Sequence, residues 1–273
     1  MAFCIEPDWH RTDADGAQVG GVAAMTVDTA VILAAEFGSR IFELAKYGPK
    51  GFICVEGQAI VERSIDILVR HGIRRIIIGT GYRAMDYMSM AKRYADVRIE
   101  CVLNAEYANS GSLETLLRCT QGLDCDFLLL ESDLLYDSRM IDLVLRSPYA
   151  NVILASGETY SGNGIYPETN KRSEPVGLFR GPAALSHVDA ELIGICKFAA
   201  ETPFALRQWL AKNGISQPAQ LHYEEGLAGI ADTVLMHIDK TDMPWTEIDT
   251  LEHLEHANKL IWPRIQLAEK GLS

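Results

Sequence analysis

The sequence predicts a doubly wound α/β fold built on a mostly parallel sheet. Its short hydrophobic runs are apolar throughout rather than alternating, which is typical of parallel strands covered by helices on both faces. These runs alternate along the chain with segments of helical period. With 273 residues, 48% of them hydrophobic, the chain is long enough to bury a full core.

Predicted strands and helices follow one another between residues 30 and 155. The predicted strands are 30–35, 75–79, 97–103, 127–130 and 152–155, and the predicted helices are 58–70, 84–94, 113–120 and 139–146. In the first helix, Val61, Ile65 and Leu68 share one face, as an amphipathic helix requires. Gly72 and Gly122 suit the position after a helix end, so they support two of these boundaries.

The regular alternation stops near residue 156. A passage rich in Gly, Pro and Ser, about residues 157–183, is too long for an ordinary connection and predicts a hairpin or a lid over a site. Strand-like ELIGICKFA, a helix around 203–212, strand-like TVLMHID and a last helix from about Leu251 follow. Residues 1–26 lack periodicity and are interpreted as a flexible extension, which leaves 27–273 as a single domain.

Charge and composition exclude several classes of function. A net charge of −12 argues against a nucleic-acid-binding surface, because such a surface needs a basic patch. The six cysteines are scattered without a CxxC pair, so neither a zinc site nor a disulfide framework is expected, and a reducing cytoplasm fits. No apolar segment approaches the roughly 20 residues that span a bilayer, so we expect no membrane association.

A turn with small residues and nearby cations follows the first predicted strand. The chain reads VILAAEFGSR at 31–40, and Pro49 and Lys50 come shortly after. Exposed backbone beside cations suits a nucleoside triphosphate. Ligands of open parallel sheets bind beyond the carboxyl ends of the strands, where this turn lies. The residues of the turn expected to contact the nucleotide are Ala34, Ala35, Gly38 and Ser39.

Three more polar segments end at the same predicted edge. They are the Gly81–Tyr82 pair, the turn that holds Asn104, Ser110, Gly111 and Ser112, and Asp133. The helix after the second segment offers its N-terminus to an anion or to a pyrimidine edge. That segment also fits a plain capping box, and Asp133 also fits an N-cap, so both structural interpretations stay open.

The turn at 31–40 resembles the signature of sugar-1-phosphate nucleotidyltransferases, LAAGxGSR followed by PK. Four further segments are similar to the branch with phosphocholine and 2-aminoethylphosphonate cytidylyltransferases: GYRAMDY, LNAEYANSGSLETLL, LLLESDLLYD and PWTEIDTLEHLEHA. Together they cover most of residues 30–260. One departure is that Glu36 stands where the family has its first glycine. Because a triphosphate would repel this carboxylate, we expect it to point outward or to pair with a cation such as Arg40.

The resemblance implies that CTP and Mg²⁺ bind at this edge. It implies Asp133 and Asp249 as metal ligands, with Glu247 as a ligand or a close neighbour. The same resemblance assigns Arg40 to the β- and γ-phosphates and Lys50 to the α-phosphate, where cations lower the barrier to nucleotidyl transfer. The two acidic residues of the EID segment alternate, so both should point to one side of an extended chain.

The predicted acceptor is 2-aminoethylphosphonate, because SGETYSGNG resembles the phosphonate branch more than the choline branch. Carboxylates and hydroxyls suit its primary amine. The residues expected around the acceptor are Glu131, Glu158, Thr159, Ser161, Lys197 and Trp245. The expected products are CMP-2-aminoethylphosphonate and pyrophosphate. Phosphocholine or a sugar-1-phosphate as acceptor, UTP as donor and a non-catalytic nucleotide-binding relative remain alternatives, and the oligomeric state is open, with a homodimer as one option.

Overall fold

The computed structural model describes residues 27–37, 48–157, 165–169, 175–180, 190–216 and 220–271. Its strands are β1 (Thr29–Ala34), β2 (Cys54–Val55), β3 (Gln58–Ala59), β4 (Arg75–Thr80), β5 (Arg98–Leu103), β6 (Phe127–Glu131), β7 (Leu134–Tyr136), β8 (Val152–Ser156), β9 (Ile165–Thr169), β10 (Pro175–Arg180), β11 (Glu191–Phe198), β12 (His237–Thr241) and β13 (Trp245–Glu247). The helices are α1 (Ile60–Arg70), α2 (Ala84–Ala91), α3 (Ser112–Cys119), α4 (Arg139–Arg146), α5 (Thr202–Lys212), α6 (Tyr223–Ile230), α7 (Leu251–His256) and α8 (Trp262–Glu269). A 3₁₀ turn at Lys50–Phe52 and a π-helical segment at Ala257–Ile261 complete the set.

Seven strands form the central sheet in the order β12–β8–β11–β6–β1–β4–β5. β1 pairs in parallel with β4 and β6, β4 with β5, and β8 with β12. Among these seven strands, β11 runs antiparallel to both of its neighbours, β6 and β8. The predicted α/β class with a mostly parallel sheet is therefore confirmed.

Helices cover the two faces of the sheet, and β1 shows why its residues are apolar throughout. Ala30, Ile32 and Ala34 pack into the core beneath α1, α2 and α4, whereas Val31 and Leu33 pack into the core beneath α3, α5 and α6. Because successive side chains of a strand point to opposite faces, a strand buried on both sides needs apolar residues at every position.

A smaller apolar cluster lies beside the sheet. It joins Ile53 and Ile60 to Leu135 of β7, Ile248 and the C-terminal helical segments. β7 pairs with β13 in an antiparallel ribbon, so two segments more than 100 residues apart meet here. This cluster fixes the segment after β13 against the segment after β6.

The passage predicted as a hairpin or a lid contains an antiparallel hairpin of β9 and β10. Residues 1–26, interpreted above as an extension, lie outside the described residues. In the described ranges, no helix has the length and apolar character needed to cross a membrane.

Several boundaries differ from the prediction for identifiable reasons. The first helix begins at Ile60 because Gln58 and Ala59 pair with β2. The strand predicted at TVLMHID is formed by His237–Thr241 instead. The amides of Thr233 and Val234 donate to the Ile230 carbonyl at 2.9 Å and finish α6, a helix that the prediction missed.

Candidate active site

A cavity of about 120 Å³ lies at the carboxyl edge of the parallel strands. It opens where β1 and β6 end and where the antiparallel β11 begins. Seven carboxylates line it: Glu36, Glu131, Asp133, Glu191, Glu224, Glu247 and Asp249. The cationic side chain among its described lining residues is Lys50, and His222 adds an imidazole. A cavity with this excess of negative charge is suited to cations.

Lys50 is held between two buried carboxylates at the centre of this cavity. Its Nζ donates to Asp133 Oδ2 at 2.9 Å and also to Asp249 Oδ1. Burial by itself would lower the pKa of the Lys50 ammonium, but the charges of Asp133 and Asp249 outweigh that effect and hold the pKa well above its ordinary value. The lysine is therefore positively charged in the free protein.

The β7–β13 ribbon explains how Asp249 reaches Asp133. Glu247 stands opposite Leu134, and the Ile248 amide donates to the Asp133 carbonyl at 2.9 Å. Ile248 points into the small apolar cluster, so the two flanking carboxylates point the other way, into the cavity. The alternation in the EID segment thus places the carboxylates of Glu247 and Asp249 near Asp133.

Three carboxylates of the cavity form a group that could hold a metal ion. One oxygen each from Glu131, Asp133 and Glu247 lies within 4.8 Å of the others. Burial and the charges of Asp133 and Asp249 raise the pKa of Glu247 to about 10. Burial and neighbouring carboxylates likewise raise the pKa of Glu131 well above its ordinary value. Asp249, assigned to the metal by the resemblance, lies beside this group and contacts Lys50.

Glu131 is fixed from two sides. Tyr223, at the start of α6, donates its hydroxyl to Glu131 Oε1 at 2.9 Å. On the other side, β11 bulges at Gly194, whose φ of +83° is the left-handed conformation that favours glycine. A Cβ at this position would lie 3.0 Å from Glu131 Cδ, so the glycine also makes room for the carboxylate.

The predicted nucleotide-contacting residues after β1 and β4 lie against each other. The Tyr82 amide donates to the Ala35 carbonyl at 3.0 Å, and the Tyr82 ring packs edge-on against Phe37. A Cβ at Gly81 would lie 2.6 Å from the Ala35 carbonyl oxygen, so the approach of these turns requires a glycine. Ala35 lines the cavity, whereas Ala34 is buried at the end of β1. Gly38, Ser39 and Arg40 lie outside the described residues.

The polar turn after β5 is tied together internally. The Asn104 side-chain amide donates to the hydroxyls of Ser110 and Thr115 at 2.9 and 3.0 Å. Gly111 passes so close to Leu221 that a Cβ would lie 2.1 Å from the Leu221 carbonyl oxygen. Ser112 lines the cavity, and its hydroxyl accepts the Tyr223 amide at 3.0 Å. Asn104 and Ser110 therefore build the turn that presents Ser112.

Glu36 lies beside His222 at the rim of the cavity, and Arg40, the partner expected from the sequence, lies outside the described residues. The Glu36 Oε1 lies 3.7 Å from His222 Nδ1, and the Glu36 side chain is half exposed at the rim of the cavity. His222 also caps α6, where its backbone amide donates to Glu225 Oε2.

The predicted acceptor residues separate into three groups. Glu131 lies in the cavity, and Trp245 lines a second cavity of about 750 Å³ that shares Glu191 and Glu247 with the first. Lys197 is not brought to the site: it pairs with Leu128 and Val152 near the amino ends of β6 and β8, at the opposite edge of the sheet. Because β11 is antiparallel, its first residue rather than its seventh reaches the site. Glu158, Thr159 and Ser161 lie outside the described residues.

Sequence reasoning missed several residues of the cavity. They are Tyr87, Ser132, Glu191, His222 and Glu224, together with Tyr223, which donates to Glu131. The direction of β11 would have pointed to Glu191. The capping pair of His222 and Glu225 is a local sign of α6, the helix that begins with Tyr223 and Glu224.

Comparison with known proteins identifies the family. A model of the MobA-like NTP transferase domain matches residues 30–194, which is more than half of the chain. The chain belongs to this family. The matched range includes Lys50, Glu131, Asp133 and Glu191, whereas Glu247 and Asp249 lie beyond it. The resemblance to nucleotidyltransferases that rested on short motifs is therefore confirmed.

Curated relatives match parts of the chain. The CMP-5'-(3-aminopropyl)phosphonate synthase of Streptomyces rubellomurinus is 27% identical over 46% of this chain and 20% of its own length. The 2-aminoethylphosphonate cytidylyltransferase of Lancefieldella rimae is 32% identical over 35% of this chain and 38% of its own. The choline-phosphate cytidylyltransferase of Streptococcus pneumoniae is 26% identical over 45% and 52%. The chain thus spans about half or less of the length of these relatives.

Solved structures share the fold over most of the chain. The inositol-1-phosphate CTP transferase from T. maritima superposes with a TM-score of 0.74 at 16% identity, covering 90% of this chain and 98% of that one. The CTP:phosphocholine cytidylyltransferase from Streptococcus pneumoniae gives a TM-score of 0.70 at 17% identity, covering 86% and 99%. At these identities the likeness establishes the fold.

Proposed function

We propose that this protein is a Mg²⁺-dependent cytidylyltransferase that joins CTP to 2-aminoethylphosphonate and releases pyrophosphate. The observation that carries the proposal is the Lys50 ammonium held between Asp133 and Asp249 at the carboxyl edge of the sheet. The similarity to two phosphonate-linked relatives supports CTP as donor and an aminophosphonate as acceptor.

The carboxylates of the cavity fit the proposed metal ion. Mg²⁺ prefers oxygen ligands, and it binds through one or two carboxylates while substrate phosphates and waters fill the remaining positions. Asp133 would hold it together with Asp249, and Glu247 and Glu131 stand within reach of the same place. When bound, Mg²⁺ supplies positive charge that offsets the charge gathering on the α-phosphoryl oxygens.

The chain's own residues would act by position and charge. A phosphonate oxygen attacks the α-phosphorus of CTP, a new P–O–P link forms, and the bond from the α-phosphorus to the bridging oxygen of the β-phosphate breaks. The electron pair of that bond leaves with pyrophosphate. Lys50 is charged and would stabilise the oxygens of the α-phosphoryl group. No protein base is needed, because the phosphonate is already ionised near neutral pH.

The second cavity supports the proposed place of the acceptor. It meets the nucleotide cavity at Glu191 and Glu247, so an acceptor lying there would have its phosphonate beside the site of attack. Carboxylates accept the hydrogen bonds of a primary ammonium group, and Glu191 and Glu247 border both cavities. Trp245 borders this cavity and would suit a quaternary ammonium as well. Phosphocholine is therefore the competing acceptor that the experiment must include.

Pyrophosphate release tests the proposal. The purified protein is assayed with Mg²⁺ across CTP and UTP, each with 2-aminoethylphosphonate, phosphocholine and glucose-1-phosphate. We expect the highest kcat/KM for CTP with 2-aminoethylphosphonate, and loss of turnover when EDTA removes the metal. Faster turnover with phosphocholine, or with UTP and the sugar phosphate, would replace the proposed substrate pair. Absence of pyrophosphate with every pair would make the chain a non-catalytic relative.

A further inference from the structure

Tyr223 is a buried tyrosine that reaches the carboxylates of the cavity from outside the family match. It is the first residue of α6 and is 1% exposed. Its hydroxyl donates to Glu131 Oε1 at 2.9 Å. Glu131 is the carboxylate at the end of β6 that lies in one group with Asp133 and Glu247. Because the match ends at residue 194, a segment beyond the matched domain supplies a partner to a carboxylate within it.

The backbone of Tyr223 is fixed against the start of α3. Its amide donates to the Ser112 hydroxyl at 3.0 Å, and the Leu113 amide donates to the Leu221 carbonyl at 3.2 Å. Within α6, a Cβ at Gly226 would lie 3.1 Å from a methyl carbon of Leu113, so the two helices pack in close contact. The tyrosine is therefore anchored independently of the hydrogen bond that its hydroxyl makes.

Glu131 needs such a partner because its side chain is long. A glutamate has several rotatable side-chain bonds, so its carboxyl group takes one position only where neighbours fix it. Gly194 makes room for this carboxyl group, since a Cβ there would lie 3.0 Å from Glu131 Cδ, but a glycine offers no side chain to hold it. The hydroxyl of Tyr223 selects one orientation. A carboxylate has about four lone-pair positions, so accepting this hydrogen bond leaves it able to bind a cation.

We propose that Tyr223 is a positioning residue whose hydroxyl holds the Glu131 carboxylate in the group that would bind the divalent cation. Tyr223 does not itself line the cavity, so it acts through Glu131 and does not touch the reacting atoms. Hydrogen-bond donors behind a ligating carboxylate orient it, and their loss typically weakens metal binding by about 10- to 100-fold. The inference rests on the metal site of the proposed function and extends that site to a helix outside the family match.

The test compares Mn²⁺ binding by Tyr223→Phe and Tyr136→Phe in the nucleotide-free protein, followed by electron paramagnetic resonance. Phenylalanine keeps the buried ring and removes the hydroxyl alone. Tyr136 is as deeply buried as Tyr223 and does not line the cavity, so it is the matched control. We expect Tyr223→Phe to bind Mn²⁺ about 10-fold more weakly than the wild type. Tyr136→Phe should bind it as the wild type does.

A double variant separates positioning from a general loss of packing. Glu131→Gln keeps the size of the side chain and removes the charge that would bind the metal, so it should weaken Mn²⁺ binding at least as much as Tyr223→Phe. If Tyr223 acts through Glu131, adding Tyr223→Phe to Glu131→Gln should weaken binding no further. Fully additive losses, unchanged binding in Tyr223→Phe, equal weakening in Tyr136→Phe or a wild type that binds no Mn²⁺ would each overturn the proposal.

Turnover distinguishes this inference from the proposed function. At saturating substrates, Tyr223→Phe should need about 10-fold more Mg²⁺ for half-maximal pyrophosphate release, whereas kcat at saturating Mg²⁺ should stay within about twofold of the wild type. A loss of kcat that excess Mg²⁺ does not restore would show that the hydroxyl acts on something other than the metal site and would overturn the proposal. If the wild-type protein releases no pyrophosphate, the proposed function fails, and Mn²⁺ binding still decides the positioning role of Tyr223.

Discussion

Two lysines at opposite edges of the central sheet have different electrostatic surroundings. Lys50 lies at the carboxyl edge, where Asp133 and Asp249 raise its pKa despite burial. Lys197 lies at the amino edge, where its Nζ donates to the Ser147 carbonyl at 2.7 Å and burial lowers its pKa, against the opposing charges of Asp239 and Asp126. One lysine is stabilised as a cation by charged partners, whereas the other is satisfied by a neutral oxygen.

The difference shows what makes a buried lysine a candidate catalytic group. A charged lysine next to carboxylates at the carboxyl edge can act on phosphates, because its charge is already formed and placed. A lysine that donates to a backbone carbonyl at the other edge has a structural role, because it supplies a hydrogen bond to that acceptor. The resemblance to nucleotidyltransferases assigned both lysines to the site. In the structure β11 runs antiparallel to β6 and β8, so Lys197 lies at the opposite edge of the sheet.

The largest effect should come from the carboxylates around Lys50. Asp133→Asn and Asp249→Asn should each lower turnover by about 10³-fold or more, because each removes a charge proposed to hold the metal. Pyrophosphate release at saturating substrates measures this effect. The matched control is Asp239→Asn, which changes the surroundings of Lys197 and should leave turnover unchanged. Near-normal activity in either site variant would contradict the assignment of the metal site.

The next effect should come from Lys50 itself. Lys50→Met should lower kcat by about 10²–10³-fold, the scale of one preorganised charge lost from a transition state. The affinity for CTP, measured by calorimetry, should fall less than kcat. A rise in KM with kcat unchanged would mean that Lys50 binds substrate uniformly and has no special role at the α-phosphate.

Lys50→Met should lower kcat but raise the affinity of the nucleotide-free protein for a divalent cation. In the free protein the Lys50 ammonium occupies the carboxylates of Asp133 and Asp249, so a cation must compete with it. We expect Lys50→Met to bind Mn²⁺ about 10-fold more tightly, as followed by electron paramagnetic resonance, since a like charge has been removed. Lys197→Met is the control and should not change the affinity. Unchanged or weaker binding in Lys50→Met would show that the ion pair does not compete with the metal.

The smallest effect should come from Lys197. Lys197→Met should leave kcat and KM within about twofold of the wild type, since this lysine lies away from the reacting groups. Because its folded-state pKa is lowered from 10.5, the unfolded chain binds more protons between the two pKa values, and the contribution of Lys197 to stability rises with pH there. Urea unfolding measures the difference in free energy of unfolding between the wild type and Lys197→Met. This difference should be more favourable to the wild type at about pH 10 than at about pH 7. A large loss of kcat would contradict this and show that Lys197 acts at the active site.

Much of the site could be predicted because local patterns determined it. The run before Asp133 is apolar throughout, so Asp133 had to follow a buried strand and lie at the edge of the sheet. The alternation at Glu247 and Asp249 placed both carboxylates on one side, opposite Ile248. The partner of Glu36 could not be predicted in this way, because His222 comes from a helix without a hydrophobic period strong enough to identify it.

The sequence by itself determined the fold class and the edge of the sheet where Asp133 lies, because apolar runs and periodicity depend on near neighbours. The site roles of Glu247 and Asp249 came from the resemblance to nucleotidyltransferases. The tertiary structure decided the direction of β11. An apolar run has the same pattern read in either direction, so nothing local shows which end faces the site. Pairing with β6 and β8 sets that direction, brings Glu191 to the cavity and leaves Lys197 at the far edge.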